Sequence, residues 1–231
     1  MSIATAQVTV VDHPLVQHKL GLLRDATTPT QSFRQLVDEV TLLLTYEATK
    51  DLATEEVEVA TPLERTTVPR ISGKKVAVCP ILRAGIGMLD GVLSLIAGAR
   101  VGFIGLYRDE ETLQPVEYYV KLPQDIADRD VILLDPMLAT GNSTASAVET
   151  VKRAGAASVR LIALIAAPEG IERLHRDHPD VSIVVASIDR RRRRAPAGCS
   201  RGRSAPGRSP RRRWSRRGAR PGAARPPRAP R

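Results

Sequence analysis

The stretch VILLDPMLATGNSTASAV, Val131 to Val148, decides the fold. It opens with branched apolar residues typical of a buried strand, turns through a short segment containing Gly141, and continues with a helical pattern. A strand that leads through a tight turn into a helix is the repeating unit of α/β proteins, in which binding sites lie at the carboxyl ends of the strands. We therefore expect Asp135, at the end of this strand, to face a binding site.

Four further segments, apolar and rich in β-branched residues, predict strands of the same parallel sheet, which helices cover on both faces. These segments are residues 74–82, 99–107, 159–167 and 181–187. Helical spacing predicts helices over residues 31–52, 87–97, 143–154 and 169–177. This alternation predicts a doubly wound α/β fold. Residues 107–130 alternate polar and apolar residues and instead predict an exposed hairpin or mobile flap.

Charge is distributed unevenly along the chain. The formal net charge is +10, but residues 190–231 contain 17 arginines and no Asp, Glu or Lys. The first 189 residues therefore hold 18 of the 35 basic residues and all 25 acidic residues, a formal charge of −7. Arg, Pro, Gly, Ala and Ser dominate the tail, which cannot bury enough apolar surface to fold. We predict one domain over residues 1–189 and a disordered basic tail over residues 190–231.

The cysteines and the apolar segments indicate the compartment. Cys79 lies in an apolar segment and Cys199 in the tail, which gives neither a disulfide framework nor metal-ligand spacing. No stretch reaches the apolar length of a membrane span, and the first residues do not resemble a signal peptide. We expect a soluble cytoplasmic protein that does not associate with membranes.

The loop after residues 131–134 has the composition of a phosphate site. Backbone N–H groups and the hydroxyls of Thr140, Ser143 and Thr144 gather at a helix start, where the helix dipole also favours an anion. Gly141 allows a tight turn, and Asp135 is placed to accept hydrogen bonds from ribose hydroxyls. An ordinary strand-to-helix turn with a capping residue explains the loop alone equally well. No Gly-Lys-Ser/Thr sequence follows, which argues against hydrolysis of nucleoside triphosphates.

Two arginines that follow other strands are candidates for binding a second phosphate group. Arg83 follows the strand at residues 74–82, and Arg108 follows the strand at residues 99–107. A guanidinium group binds phosphate oxygens bidentately. Taken singly, Arg83 is more often a solvated strand-end residue, and Arg108 is more often one partner of a surface ion pair. Together with the loop, they describe a pocket for a ribose that carries a 5-phosphate and a second phosphate group.

The segments ILRAGIGMLDG, YRDEET, YYVKLP and LLDPMLATGNS resemble those of uracil phosphoribosyltransferases, and the likeness runs from about Val10 to Asp189. The resemblance implies the type I phosphoribosyltransferase fold. It also implies a pentosyltransferase of pyrimidine salvage that transfers phosphoribosyl from phosphoribosyl diphosphate to uracil, giving UMP and diphosphate. The catalytic residues it implies are Arg83 and Arg108, on the diphosphate side, and Asp135. The residues it implies for binding the ribose 5-phosphate are Asp135, Pro136, Met137, Leu138, Ala139, Thr140, Gly141, Asn142 and Ser143.

The same resemblance implies a Mg²⁺ ion carried on the diphosphate, with no protein ligand identified, although the acidic run at residues 109–111 could help hold it. It implies activation by GTP, for which no residue can be named. It also implies a homo-oligomer, and the apolar residues of the predicted helix from Phe33 to Leu52 favour the same assembly. Cleavage at ribose C1 leaves an oxocarbenium-like sugar, so we expect electrostatic catalysis without a His or Cys nucleophile.

The sequence departs from the family after Asp189. Family members continue with a Tyr-Ile-Val-Pro-Gly-Leu-Gly-Asp-Ala-Gly-Asp-Arg segment whose backbone reads the uracil edge and whose first Asp adds to the phosphoribosyl diphosphate site. No such segment occurs in residues 190–231, so no uracil-binding residue is identifiable. Such an acid-free tract is expected where GC-rich coding sequence is read in a wrong frame, and we hypothesise a frameshift near codons 189–191. We then expect this chain to bind phosphoribosyl diphosphate and to transfer little or no uracil.

Two alternative functions stay open at this point. The 17 arginines of the tail suit an RNA-binding regulator of the pyrimidine-operon type on the same fold, or non-specific contact with nucleic acids. Against the regulator stand the acidic body and a tail with a single aromatic residue, Trp214, for base stacking. The other alternative is a phosphoribosyltransferase for a different base. The loop disfavours it, because most other phosphoribosyltransferases carry two adjacent acids where only Asp135 stands here.

Overall fold

The computed structural model describes residues 8–73, 76–109 and 115–189. Its strands are β1 (Val8–Val10), β2 (Thr54–Ala60), β3 (Arg65–Ile71), β4 (Val76–Leu82), β5 (Arg100–Val101), β6 (Phe103–Arg108), β7 (Pro115–Lys121), β8 (Asp130–Leu134), β9 (Met137–Leu138), β10 (Ser158–Ala166) and β11 (Ser182–Ile188). Its helices are α1 (Pro14–Arg24), α2 (Thr30–Ala48), α3 (Leu89–Leu95), α4 (Asn142–Arg153) and α5 (Pro168–Asp177), with 3₁₀ turns at Ala84–Met88 and Ile126–Asp128. The predicted disordered tail lies outside the described residues.

The main sheet is parallel except at one edge. Its order is β1-β11-β10-β8-β4-β6-β7, and the short strands β5 and β9 add to β4 and β10. At the edge, β7 runs antiparallel to β6 and forms a hairpin with it. Strands β2 and β3 form a separate antiparallel hairpin. The predicted parallel α/β fold is confirmed, and the predicted hairpin is present, although residues 110–114 at its turn lie outside the described part.

Helices cover both faces of the sheet because successive residues of its central strands point to opposite sides. On one face, Ile132 belongs to a buried cluster that includes Val40 of α2 and Val92 of α3. On the other face, Leu133 belongs to a cluster that includes Val148 of α4. This arrangement leaves the loops at the carboxyl ends of the strands uncovered by the two helical layers.

Three predicted elements differ in their bounds from the structure, and one of them is the helix predicted over residues 31–52, which ends at Ala48. The strand predicted over residues 99–107 is interrupted at Gly102, and a Cβ at this position would lie 2.8 Å from Sγ of Cys79. The helix predicted over residues 87–97 begins as a 3₁₀ turn and ends at Leu95. The N–H of Gly102 donates a hydrogen bond to the carbonyl of Val78 at 2.9 Å, so the chain stays alongside β4 through the interruption.

Several elements were not predicted from the sequence. They are β1, α1, the β2–β3 hairpin and β9, which lies inside the loop after β8. Helix α1 is capped by His13, whose Nδ1 accepts a hydrogen bond from the backbone N–H of Leu15 at 3.1 Å, and Pro14 occupies the first helical position. Within the described residues, no helix has the length and apolar character needed to cross a membrane.

Candidate active site

The site lies where two neighbouring parallel strands end. Strands β4 and β8 are paired, with Pro80 opposite Leu134. Arg83 and Asp135 follow shortly after these two residues, so the sheet brings them to the same edge. The two parts of the predicted pocket, which lie about fifty positions apart in the sequence, are therefore adjacent in the fold.

A cleft of about 220 Å³ opens at this edge, with Arg83 on one wall. Seven of the nine predicted loop residues line it, namely Asp135, Met137, Ala139, Thr140, Gly141, Asn142 and Ser143. Pro136 and Leu138 do not line the cleft. The carbonyl of Pro136 accepts a hydrogen bond from the backbone N–H of Ile165, and the Leu138 side chain is fully buried in the core. These two residues anchor the loop to β10.

Helix α4 begins at the cleft with unsatisfied backbone donors. Gly141, the residue before the helix, has a φ of 77°, and no side chain caps the first turn. This confirms the expectation that Gly141 forms a tight turn, because other residues adopt this conformation only with strain. The N–H groups of Asn142, Ser143 and Thr144 have no acceptor within the helix. Together with the helix dipole, they give this end of the cleft the character of an anion site.

Asp135 is held in place by two hydrogen bonds to its carboxylate. Oδ2 accepts one from the Thr144 hydroxyl at 2.9 Å, and Oδ1 accepts a long one from the backbone N–H of Met137 at 3.4 Å. Burial raises the pKa of the Asp135 carboxyl above its ordinary value, and these two hydrogen bonds offset part of that rise. The arrangement is a fixed acceptor that faces the cleft, as the recognition of sugar hydroxyls requires.

Arg83 presents an exposed side chain to the same cleft. Within the described part of the chain, its guanidinium makes no ion pair or hydrogen bond, so it is available to an anion. The peptide bond between Leu82 and Arg83 is cis. The next turn packs tightly against β8, because a Cβ at Gly85 would lie 2.3 Å from the carbonyl oxygen of Leu134. The absence of a side chain at Gly85 therefore allows the ends of β4 and β8 to lie close together.

Replacing Gly85 with Ala is expected to destabilise the fold by about 1–3 kcal/mol, since the added methyl group overlaps backbone atoms that cannot move freely. Urea unfolding of the variant measures this change. The matched control is Gly87→Ala, because a Cβ at Gly87 meets nothing within 4 Å. The control should change the free energy of unfolding by less than about 0.5 kcal/mol, because the added methyl group meets no other atom. Equal effects of the two variants would contradict the role given to Gly85.

A second, more open cleft of about 880 Å³ adjoins the first and shares Arg83 with it. Two tyrosines of the β6–β7 hairpin, Tyr107 and Tyr118, line it and were not predicted as site residues. The Tyr118 ring covers Gly105, where a Cβ would lie 2.7 Å from Cζ of the ring. The alternation of polar and apolar residues over residues 107–130 predicted the hairpin on which these two tyrosines lie. The backbone of Arg108 ends β6, but its side chain lies outside the described part of the structure.

Neither covalent catalysis nor a protein-built metal centre finds support in the described residues. Cys79 is fully buried, and burial raises the pKa of its thiol to about 12, so the nucleophilic thiolate is suppressed. Among the described residues, no group of three His, Cys, Asp or Glu side chains could hold a metal ion. The site thus offers an anion-binding helix start, one guanidinium and one carboxylate.

Comparisons with known proteins agree with this geometry. The family model described as uracil phosphoribosyltransferase matches residues 10–194. A uracil phosphoribosyltransferase of Thermoanaerobacter sp. (strain X514) is 58% identical over 182 residues, which are 79% of this chain and 87% of that protein. One of Staphylococcus aureus (strain Newman) is 55% identical over 184 residues, which are 80% and 88% of the two chains.

A solved structure of a protein from Aquifex aeolicus superposes with a TM-score of 0.76 at 36% identity, covering 80% of this chain and 88% of that one. The match of the family model extends over most of the described domain and includes the whole cleft. The chain belongs to the uracil phosphoribosyltransferase family.

Proposed function

We propose that residues 1–189 of this protein serve the transfer of phosphoribosyl from phosphoribosyl diphosphate to uracil, giving UMP and diphosphate, and that the altered segment after Asp189 impairs this transfer in the 231-residue chain. The observation that carries the proposal is the uncapped start of α4, which faces a cleft that also contains Asp135 and Arg83. A 5-phosphate, a ribose and a diphosphate require these three kinds of group. The identity of the acceptor base, uracil, is inferred from the names of the relatives.

Each part of the donor substrate has a matching group in the cleft. The 5-phosphate binds the N–H groups at the loop and helix start, from Ala139 to Ser143. The ribose hydroxyls donate hydrogen bonds to Asp135. The diphosphate contacts Arg83 and, by the family resemblance, Arg108. Pro136 and Leu138 contribute by fixing the loop.

The reaction depends on charge stabilisation and positioning. As the bond from C1 to the diphosphate breaks, positive charge develops on the ribose and negative charge on the leaving group. Asp135 lies on the ribose side of the cleft and Arg83 on the diphosphate side, so each group opposes the charge that forms next to it. Holding the sugar at both ends also aligns C1 for attack by the base.

Magnesium fits this site as a substrate-borne ion. Among the described residues that line the cleft, Asp135 is the one carboxylate, and Mg²⁺ is commonly held by one or two carboxylates together with substrate phosphates and water. When bound, the ion neutralises charge on the diphosphate. Of the acidic run at residues 109–111, which was a candidate to help hold it, residues 110–111 lie outside the described part, and Asp109 does not line the cleft.

Other parts of the proposal concern assembly, regulation and location. The exposed rings of Phe33 and Tyr46 on α2 are apolar surface for contact with a second copy, in support of a homo-oligomer. Activation by GTP follows from the family resemblance alone. A cytoplasmic location is supported by the buried free thiol of Cys79. The arginines after residue 189 would give non-specific contact with nucleic acids.

The test measures product formation with several bases. Because the family's base-reading segment is not recognisable after Asp189, the assay uses a chimera in which the C-terminal segment of the Thermoanaerobacter relative follows Asp189. With phosphoribosyl diphosphate and Mg²⁺, we expect UMP from radiolabelled uracil. Adenine, guanine and hypoxanthine should give product at least about a thousandfold more slowly, because a site built for one set of hydrogen bonds rejects the others. Absence of UMP formation by a folded chimera would overturn the proposal, because residues 1–189 would then not supply a working donor site.

A further inference from the structure

Two carbonyl groups of the loop after β8 pack against the first turn of α5. The carbonyl oxygen of Leu138 accepts a hydrogen bond from the backbone N–H of Ala167 at 2.8 Å. A Cβ at Gly170, which is buried in this turn, would lie 2.7 Å from that oxygen and 2.6 Å from the carbonyl oxygen of Ala139. Real Cβ atoms do not approach backbone oxygens so closely, so this packing requires glycine at position 170.

The direction of these carbonyls determines where the next amide groups point. In a trans peptide unit, the C=O bond and the following N–H bond point in opposite directions. Since the carbonyls of Leu138 and Ala139 point toward α5, the N–H groups of Ala139 and Thr140 point away from it. Both of these residues line the 220 Å³ cleft. The contact with α5 therefore keeps two backbone acceptors against α5 and leaves two backbone donors on the side of the loop that faces away from it.

The next residue of the loop packs on the same glycine. A Cβ at Gly141 would lie 2.9 Å from the carbonyl oxygen of Gly170, and Gly141 has the positive φ that begins α4. Gly170 thus contacts the loop at Leu138, Ala139 and Gly141, immediately before the uncapped helix start. A side chain at position 170 would move the part of the loop that carries the donors.

We propose that Gly170 is a positioning residue of the phosphate site, which fixes the peptide orientation of the loop so that the amides of Ala139 and Thr140 face the 5-phosphate of the substrate. Gly170 does not line the cleft itself and acts through the loop. The inference rests on the proposed function and deepens it, because it adds the residue that sets the polarity of the site.

The first test compares ribose 5-phosphate binding by calorimetry in the full-length wild type, Gly170→Ala and Gly21→Ala. Gly21 lies on an exposed part of α1, where a Cβ meets nothing within 4 Å, and it serves as the matched control for a helical glycine. We expect the dissociation constant to rise at least about tenfold in Gly170→Ala, as expected when hydrogen bonds to a charged phosphate are lost. The control should bind within about twofold of the wild type, because its substitution leaves the loop unchanged.

Thermal unfolding of the same proteins separates positioning from stability. Binding is measured below the unfolding midpoint of each variant, where a purely structural role of Gly170 would lower the midpoint without changing the affinity of the folded protein. Unchanged affinity in Gly170→Ala would overturn the inference and leave the proposed function intact. Absence of ribose 5-phosphate binding in the wild type would instead overturn the phosphate site itself, and the inference with it.

A second measurement uses the wild type and does not depend on the folding of the variant. In a ¹H–¹⁵N NMR titration with ribose 5-phosphate, the amide protons of Ala139 and Thr140 should move downfield as they bind phosphate oxygens. The amide of Gly21 should not move. Saturation of the protein without a shift at Ala139 and Thr140 would overturn the inference.

Discussion

The 231-residue chain is expected to form UMP at least about a thousandfold more slowly than the chimera that carries a relative's C-terminal segment after Asp189, because a site without its base-reading hydrogen bonds loses several orders of magnitude in transition-state binding. Binding of phosphoribosyl diphosphate should differ much less, by about tenfold or less, because no residue of the described cleft lies after Asp189 and the chimera regains only the one Asp that the family resemblance adds to the donor site. Single-turnover assays and calorimetry on both proteins measure the two quantities.

Retained binding of phosphoribosyl diphosphate by both proteins is the internal control of this comparison, because it shows that both proteins are folded around the donor site. Turnover by the 231-residue chain within about tenfold of the chimera would contradict the prediction, since it would mean that residues elsewhere supply base recognition. The hypothesis of a frameshift has its own test. The nucleotide sequence across codons 185–231 should encode Gly-Leu-Gly-Asp-Ala-Gly-Asp in another frame.

The sequence predicted the elements whose signal is local. Apolar runs such as residues 131–134 identify buried parallel strands because strands covered on both faces need apolar residues at nearly every position. The β2–β3 hairpin was missed although Val57 and Val59 alternate with glutamates, which is the pattern of a strand with one apolar face. Most of its residues are exposed, so the hairpin carries few of the apolar residues that marked the other strands.

The candidate site shows the same division between local and long-range signals. Asp135 and the loop to Ser143 form one continuous motif, and the sequence identified them together. Gly170 could not be identified in this way, because nothing in the residues around it indicates that they contact Leu138 and Ala139. The role of Gly85 was likewise hidden, since the backbone it contacts belongs to β8, about fifty residues later. Contacts between backbones of distant elements leave no periodic pattern in a sequence.

Replacing Asp135 with Asn is expected to weaken ribose 5-phosphate binding about tenfold to a hundredfold at neutral pH, because a charged acceptor of hydrogen bonds from the ribose hydroxyls is lost. In the chimera, kcat/KM should fall further, by about 10²–10³, since the same charge stabilises the oxocarbenium-like ribose. Asn has nearly the same shape as Asp, and its single amide oxygen can still accept the hydrogen bond from Thr144, so the loop loses only the long hydrogen bond from the Met137 N–H.

The matched control for this variant is Asp12→Asn, which removes an exposed carboxylate outside the cleft. It should leave binding and turnover unchanged within about twofold. The unliganded Asp135→Asn protein should be at least as stable as the wild type, because burial already disfavours the charged form of Asp135. Weaker binding together with undiminished stability would distinguish a functional charge from a structural one. Unchanged affinity in Asp135→Asn would contradict the role proposed for this carboxylate.

The pH dependence of binding follows from the raised pKa of Asp135. Since the folded pKa lies above the ordinary value of 3.8, the carboxylate begins to be protonated at a higher pH than an exposed aspartate. Affinity for ribose 5-phosphate should therefore fall as the pH is lowered through this raised pKa. The contribution of Asp135 to stability has the opposite sign: it is greatest below the unfolded pKa, where the group is neutral in both states, and is lost as the pH rises through the folded pKa. Protonation of the sugar phosphate affects the wild type and Asp135→Asn equally, so the ratio of their affinities isolates Asp135. The affinity of the wild type divided by that of Asp135→Asn should approach one at low pH. A ratio that does not change with pH would show that the charge of Asp135 does not contribute to binding.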